Sequence, residues 1–148
     1  MSLILLVEDD PSDEKLALRA FKRCDQPFEV AVVRDGAEAL DFLFAEGRYQ
    51  DRAGAPPPRL VLLDLKLPRI DGIDVLRRVR ADERTRLVPV VVFSASREDE
   101  DLRRSLQLGA NAYLRKPVDF AEFVEAARVL VTFWLTLNQR PPLPKGSA

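Results

Sequence analysis

The chain has no histidine. Without an imidazole there can be no Ser-His-Asp triad, no histidine-held metal and no phosphohistidine relay within this polypeptide. Cysteine is reduced to Cys24 alone, so no intrachain disulfide can form and nothing demands an oxidising compartment. Neither sign of charge is in excess. The 23 basic and 24 acidic side chains leave a formal charge of −1, which provides no basic field for nucleic-acid phosphates. Long apolar runs are missing too, and a membrane span takes about 20 such residues. The apolar opening before Glu8-Asp9-Asp10 has no basic region ahead of it, so it does not read as a secretory signal, and the expected location is the cytoplasm.

What is present is the material of one ordinary domain. Across 148 residues, 47% hydrophobic and 32% charged side chains give a globular composition. Short apolar runs at 3–7, 28–33, 60–63, 90–93 and 112–114 alternate with segments of helical period, which predicts repeated strand-helix units around a parallel sheet. Most of the runs are too uniformly apolar for a sheet with one wet face, so helices are expected on both faces.

The first helix is predicted to begin at Asp10-Pro11, where Asp can cap free N–H groups and proline is tolerated, with Ala17, Ala20, Phe21 and Cys24 inward. Further helices are predicted at 36–46 with Leu40 and Phe44 inward, at 72–81 with Leu76 and Val79, and at 98–108 with Leu102 and Leu106. The last and longest, 119–138, carries Phe120, Phe123, Val124, Ala127, Leu130, Val131 and Trp134 at helical spacing. Residues 47–59, which contain Pro56-Pro57-Pro58, are expected to form an extended surface loop. The folded domain is expected to span residues 1–138, followed by a flexible proline-rich tail at 139–148.

Acidic residues directly follow two of the predicted strands: Glu8 and Asp9 after the first, Asp64 after the third. In an open parallel sheet, ligands bind at the carboxyl ends of the strands where the strand order reverses. For the flavodoxin-like order 2-1-3-4-5 that point lies between strands one and three. Carboxylates gathered there repel one another unless a cation joins them, and Mg²⁺, a hard ion that takes one or two carboxylates plus water and phosphate oxygen, fits that need. Asp10 reads instead as a helix cap. Ser94 follows the fourth strand and Lys116 the fifth, placing a hydroxyl donor and an ammonium on the same rim.

Four motifs carry a family resemblance: Leu5-Leu6-Val7-Glu8-Asp9-Asp10, Leu62-Leu63-Asp64-Leu65-Lys66-Leu67-Pro68 with Asp71-Gly72, Phe93-Ser94-Ala95, and Tyr113-Leu114-Arg115-Lys116-Pro117. The chain resembles the receiver domains of bacterial two-component systems over nearly its whole length. The resemblance implies a five-stranded α/β fold and phosphorylation of Asp64 by a sensor histidine kinase. It also implies a Mg²⁺ held by Asp9, Asp64 and the Lys66 carbonyl, with Glu8 holding the ion's water shell. Lys116 then becomes the phosphate contact, Ser94 and Tyr113 the switch pair, and a cis bond is expected before Pro117. Ser94 stands where threonine is commoner. The long proline-bearing loop before the third strand and Phe133-Trp134-Leu135 are similar to the small stand-alone regulators that partner bacterial phytochromes, which makes a bacteriophytochrome the expected kinase.

Two other readings compete. A partner-binding scaffold could keep these acids in a vestigial pocket, although the set Glu8, Asp9, Asp64, Ser94 and Lys116 is complete. A haloacid-dehalogenase-like phosphatase would want a second acid two residues beyond its nucleophile, where Lys66 stands after Asp64 and Pro11 after Asp9. The last helix adds an expectation of its own: with one face on the sheet, Ala126, Val129, Phe133 and Leu137 fall on another side. A homodimer burying Val129, Phe133, Trp134 and Leu137 is the expected outcome, packing against neighbouring helices of the same domain being the alternative.

Overall fold

The apolar runs fold as β1 (Leu3–Val7), β2 (Glu29–Val33), β3 (Leu60–Leu63), β4 (Val90–Ser94) and β5 (Ala112–Arg115). In the computed structural model, which describes residues 1–142, they pair in parallel in the order β2-β1-β3-β4-β5. Alternation along each strand divides the core into two layers. Leu5, Val7, Val61, Leu63, Val90 and Val92 point to one face, and Ile4, Leu6, Leu60, Leu62, Val91 and Phe93 to the other. Both faces are covered, which is why these strands read as continuous apolar runs.

The helices are α1 (Pro11–Phe21), α2 (Gly36–Phe44), α3 (Gly72–Ala81), α4 (Asp99–Gln107) and α5 (Phe120–Val131). Residues of α2 and α3 cover the first face, residues of α1 and α5 the second. Aspartates start four of these helices: Asp10, Asp35, Asp71 and Asp119 each accept backbone N–H groups of the first turn. A cap of this kind contributes about 1 kcal/mol and sharpens the turn out of the preceding strand.

Four expectations need correction. Leu106 is 48% exposed rather than inward, because the inward side of α4 runs from half-buried Leu102 through buried Ser105 to half-buried Leu108 just past its end. Ser105 can be fully buried there since its hydroxyl donates to the Asp101 carbonyl at 2.7 Å. Residues 47–59 are not wholly extended: Gly47–Arg52 form two 3-10 turns joined at a kink at Tyr49, with the Arg52 guanidinium 3.9 Å from the centre of the Phe42 ring and donating to the Phe42 carbonyl. The last helix is not α throughout, since Thr132–Leu137 widen into a π turn that buries Leu135 and closes with the Asn138 N–H donating to the Phe133 carbonyl. The bond before Pro117 is trans, as there is no cis peptide among the described residues, in keeping with the preference of prolyl bonds for trans by about 0.5–1 kcal/mol.

The end of the last helix is fastened to the sheet by Arg59, which donates to the carbonyls of Trp134 and Asn138. Of the expected tail, residues 143–148 lie outside the described residues.

Candidate functional site

Adjacent strand ends bring the acids together. Val7 and Leu63 are opposite each other in the β1–β3 ladder, so the residues that follow them emerge side by side. The Asp64 N–H donates to the Val7 carbonyl at 3.1 Å and the Glu8 N–H to the Val33 carbonyl at 3.0 Å, which fixes both turns from backbone alone. Glu8, Asp9 and Asp64 each offer a carboxylate oxygen, and these oxygens lie within 4.8 Å of one another. Glu8 and Asp64 are buried, whereas Asp9 is exposed at the mouth.

Lys116 enters from the far side of the sheet. Its N–H donates to the Ser94 carbonyl at 2.9 Å, continuing the β4–β5 ladder by one residue. The Nζ atom lies 2.6 Å from Glu8 Oε1, 2.9 Å from Asp64 Oδ2 and 2.9 Å from Asp13 Oδ2. Three donors thus meet three carboxylates. Burial pushes the Glu8 carboxyl from its ordinary 4.5 up to about 7, outweighing the attraction of Lys116, with repulsion from Asp64 adding to the rise. Burial alone would lower the Lys116 ammonium, but its hydrogen bonds to Glu8, Asp13 and Asp64 prevail and raise it. The lysine stays charged.

Ser94, at the end of β4, is buried, and its hydroxyl oxygen accepts the Ser96 N–H at 3.1 Å. Tyr113 on β5 is half-buried and donates its hydroxyl to the Ser96 carbonyl at 3.2 Å. The two expected switch residues therefore share a neighbour. Ser96 also donates its own hydroxyl to Asp101 Oδ2 in α4 at 2.5 Å.

Sequence reasoning brought Glu8, Asp9, Asp64 and Lys116 to one pocket and missed two residues beside it, Asp13 and Ser96. Asp13 carried a usable signal, since it stands in the first turn of the helix that Asp10 caps and therefore close to the same strand end. Lys66 lies exposed in the loop after Asp64. Val129, Phe133 and Leu137, expected to need a second packing partner, are 58%, 45% and 63% exposed, with Trp134 half-buried.

The donor set suits a hard divalent cation: carboxylate oxygens only, close-spaced, and partly neutralised by one fixed ammonium. A separate cavity of about 570 Å³ opens at the other end of the strands, lined among others by Pro57, Arg59, Leu87 and Pro89. None of the pocket acids lines it.

Comparison with known proteins gives the same class. The response regulator receiver domain family matches residues 4–128, and the chain belongs to that family. The probable methanogenesis regulatory protein FilR2 of Methanothrix harundinacea is 40% identical over 139 residues, covering 94% of this chain and 87% of that protein. Among solved structures, the bacteriophytochrome response regulator RtBRR is 47% identical with a TM-score of 0.77, covering 99% of this chain and 86% of that one. The phosphorylated cyanobacterial phytochrome response regulator RcpA is 36% identical with a TM-score of 0.87, covering 95% and 99%.

Proposed function

We propose that this receiver accepts one phosphoryl group on Asp64 from a sensor histidine kinase and relays the event through protein contacts in the cytoplasm. The observation that carries the reading is the Asp64 carboxylate, buried between Glu8 and Lys116 at the reversal of strand order with Ser94 on the neighbouring strand end. An Asp64 oxygen attacks phosphorus, the bond from phosphorus to the kinase imidazole breaks, the electron pair leaves with the imidazole, and an acyl phosphate remains on Asp64.

Asp9, Asp64 and the Lys66 carbonyl would hold Mg²⁺, and Glu8 its water shell; the ion supplies neutralisation of charge on the transferring group. Lys116 contributes a second positive charge to the phosphoryl oxygens. Ser94 reorients its hydroxyl toward them, gives up the Ser96 N–H, and thereby loosens the support of the Tyr113 hydroxyl. Tyr113 then turns inward.

The names of RtBRR and RcpA support a bacteriophytochrome as the kinase. The exposed Val129, Phe133 and Leu137, with Trp134 beside them, support a homodimer, and the π turn ending at Leu137 with Asn138 as its cap supports a folded unit that runs to residue 138. Chemistry of this kind is confined to the protein's own aspartate and involves no metabolic turnover. Incubation with acetyl phosphate and Mg²⁺ should add one phosphoryl mass to the wild type and none to Asp64→Asn. Equal labelling of both, or labelling independent of Mg²⁺, would overturn the assignment.

A further inference from the structure

We propose that Asp13 is a positioning residue that gives the Lys116 ammonium a place to rest, so that Glu8 and Asp64 become free to meet a divalent cation. The inference rests on the metal reading given above. Lys116 Nζ contacts three carboxylates, and two of them, Glu8 and Asp64, belong to the close-spaced acid cluster. Asp13 is outside that cluster, on the first turn of α1, and reaches the same ammonium at 2.9 Å.

Burial makes this third contact necessary. The Lys116 side chain is only 8% exposed, and an ammonium removed from water is costly unless it is paired. If its sole partners were Glu8 and Asp64, a cation arriving at those acids would compete with the lysine for their charge and weaken both of its pairings. With Asp13 in reach, the ammonium keeps one full pairing while Asp64 turns to the ion and Glu8 to its water shell. Asp13 is itself 33% exposed, so its charge remains solvated whichever way Lys116 leans. The residue therefore lowers the penalty of exchanging one positive charge for another in the same pocket, and it acts through Lys116 rather than on the metal.

A double-mutant cycle on Mg²⁺ affinity, read from the Mg²⁺ dependence of the urea midpoint, tests this. Wild type should respond to Mg²⁺, and Asp13→Ala should need about 3–10-fold more ion for the same response. In a Lys116→Met background the same Asp13→Ala change should alter the affinity by less than about 2-fold. Asp13→Asn, which keeps an oxygen acceptor and the helix-start geometry, should fall between wild type and Asp13→Ala and carries the cycle if the alanine variant fails to fold. An unchanged affinity in Asp13→Ala overturns the proposal while leaving the metal site intact. An equal loss with and without Lys116 also overturns it, since the effect would then come from the general field of the carboxylate. A wild type unresponsive to Mg²⁺ overturns the metal reading and this inference with it.

Discussion

Glu8 sets the pH behaviour of the pocket. Its folded value of about 7 lies above the ordinary 4.5, so between those two values the folded chain binds a proton that the unfolded chain has released. The stabilisation is fully present below about pH 4.5 and is lost as pH rises through about 7. The metal-free protein should therefore be less stable at pH 8 than at pH 5.5 by about 1–3 kcal/mol from this residue, and Glu8→Gln should flatten that slope. Urea denaturation at the two pH values measures it, and a slope unchanged in Glu8→Gln would assign the effect elsewhere. Mg²⁺ should act in the opposite sense by favouring the ionised acids. At 100 times its Kd an ion stabilises the fold by about 2.7 kcal/mol, and Asp9→Asn should remove most of that gain. These acids were legible in the sequence because each directly follows an apolar run and can occupy only the end of a strand. Asp13 and Ser96 were not, since their roles depend on how a first helical turn and a short loop fold back over the rim.

Among the elements, the junction of β3 and α3 shows how Asp64 is held. A Cβ placed on Gly72 would lie 2.3 Å from the Asp64 carbonyl oxygen, and the Gly72 N–H donates to the Leu65 carbonyl at 2.8 Å. The start of α3 is thus packed directly on the backbone of Asp64, and only glycine permits that approach. Gly72→Ala should cost about 2–4 kcal/mol in unfolding and slow Asp64 phosphorylation, because either the helix or the strand end must move. A variant as stable and as readily labelled as wild type would show that the junction yields. The Asp71-Gly72 pair was visible in the sequence, but its reason was not. Periodicity served well where a helix has one wide apolar face, as in α3, whose limits are as predicted. It failed in α4, where Ser105 replaces an aliphatic residue in the buried stripe by satisfying its own hydroxyl locally, and Leu106 was taken for the core. It failed again at the π turn, which shifts the side chains so that Leu135, and not Trp134, becomes buried. Two 3-10 turns joined at a kink at Tyr49 are too short to produce a periodic signal at all.

At the scale of the whole molecule, the site and the end of the last helix are connected through β3. Asp64 follows the carboxyl end of that strand and Arg59 precedes its amino end, gripping the carbonyls of Trp134 and Asn138. Across the outer side of the same helix end, Val129, Phe133 and Leu137 remain open to solvent. Light scattering coupled to size exclusion should give a dimer at tens of micromolar for the wild type, and Phe133→Asp with Leu137→Asp should give a folded monomer. A monomeric wild type, phosphorylated or not, would leave this face to a different protein. Trp134 is the chain's only tryptophan, half-buried and edge-on to Phe133 with ring centres 4.9 Å apart. Under excitation selective for indole, the intrinsic emission of the entire polypeptide therefore comes from one place at the end of the last helix, so a change in wavelength or lifetime on self-association would be a native optical signal that needs no label.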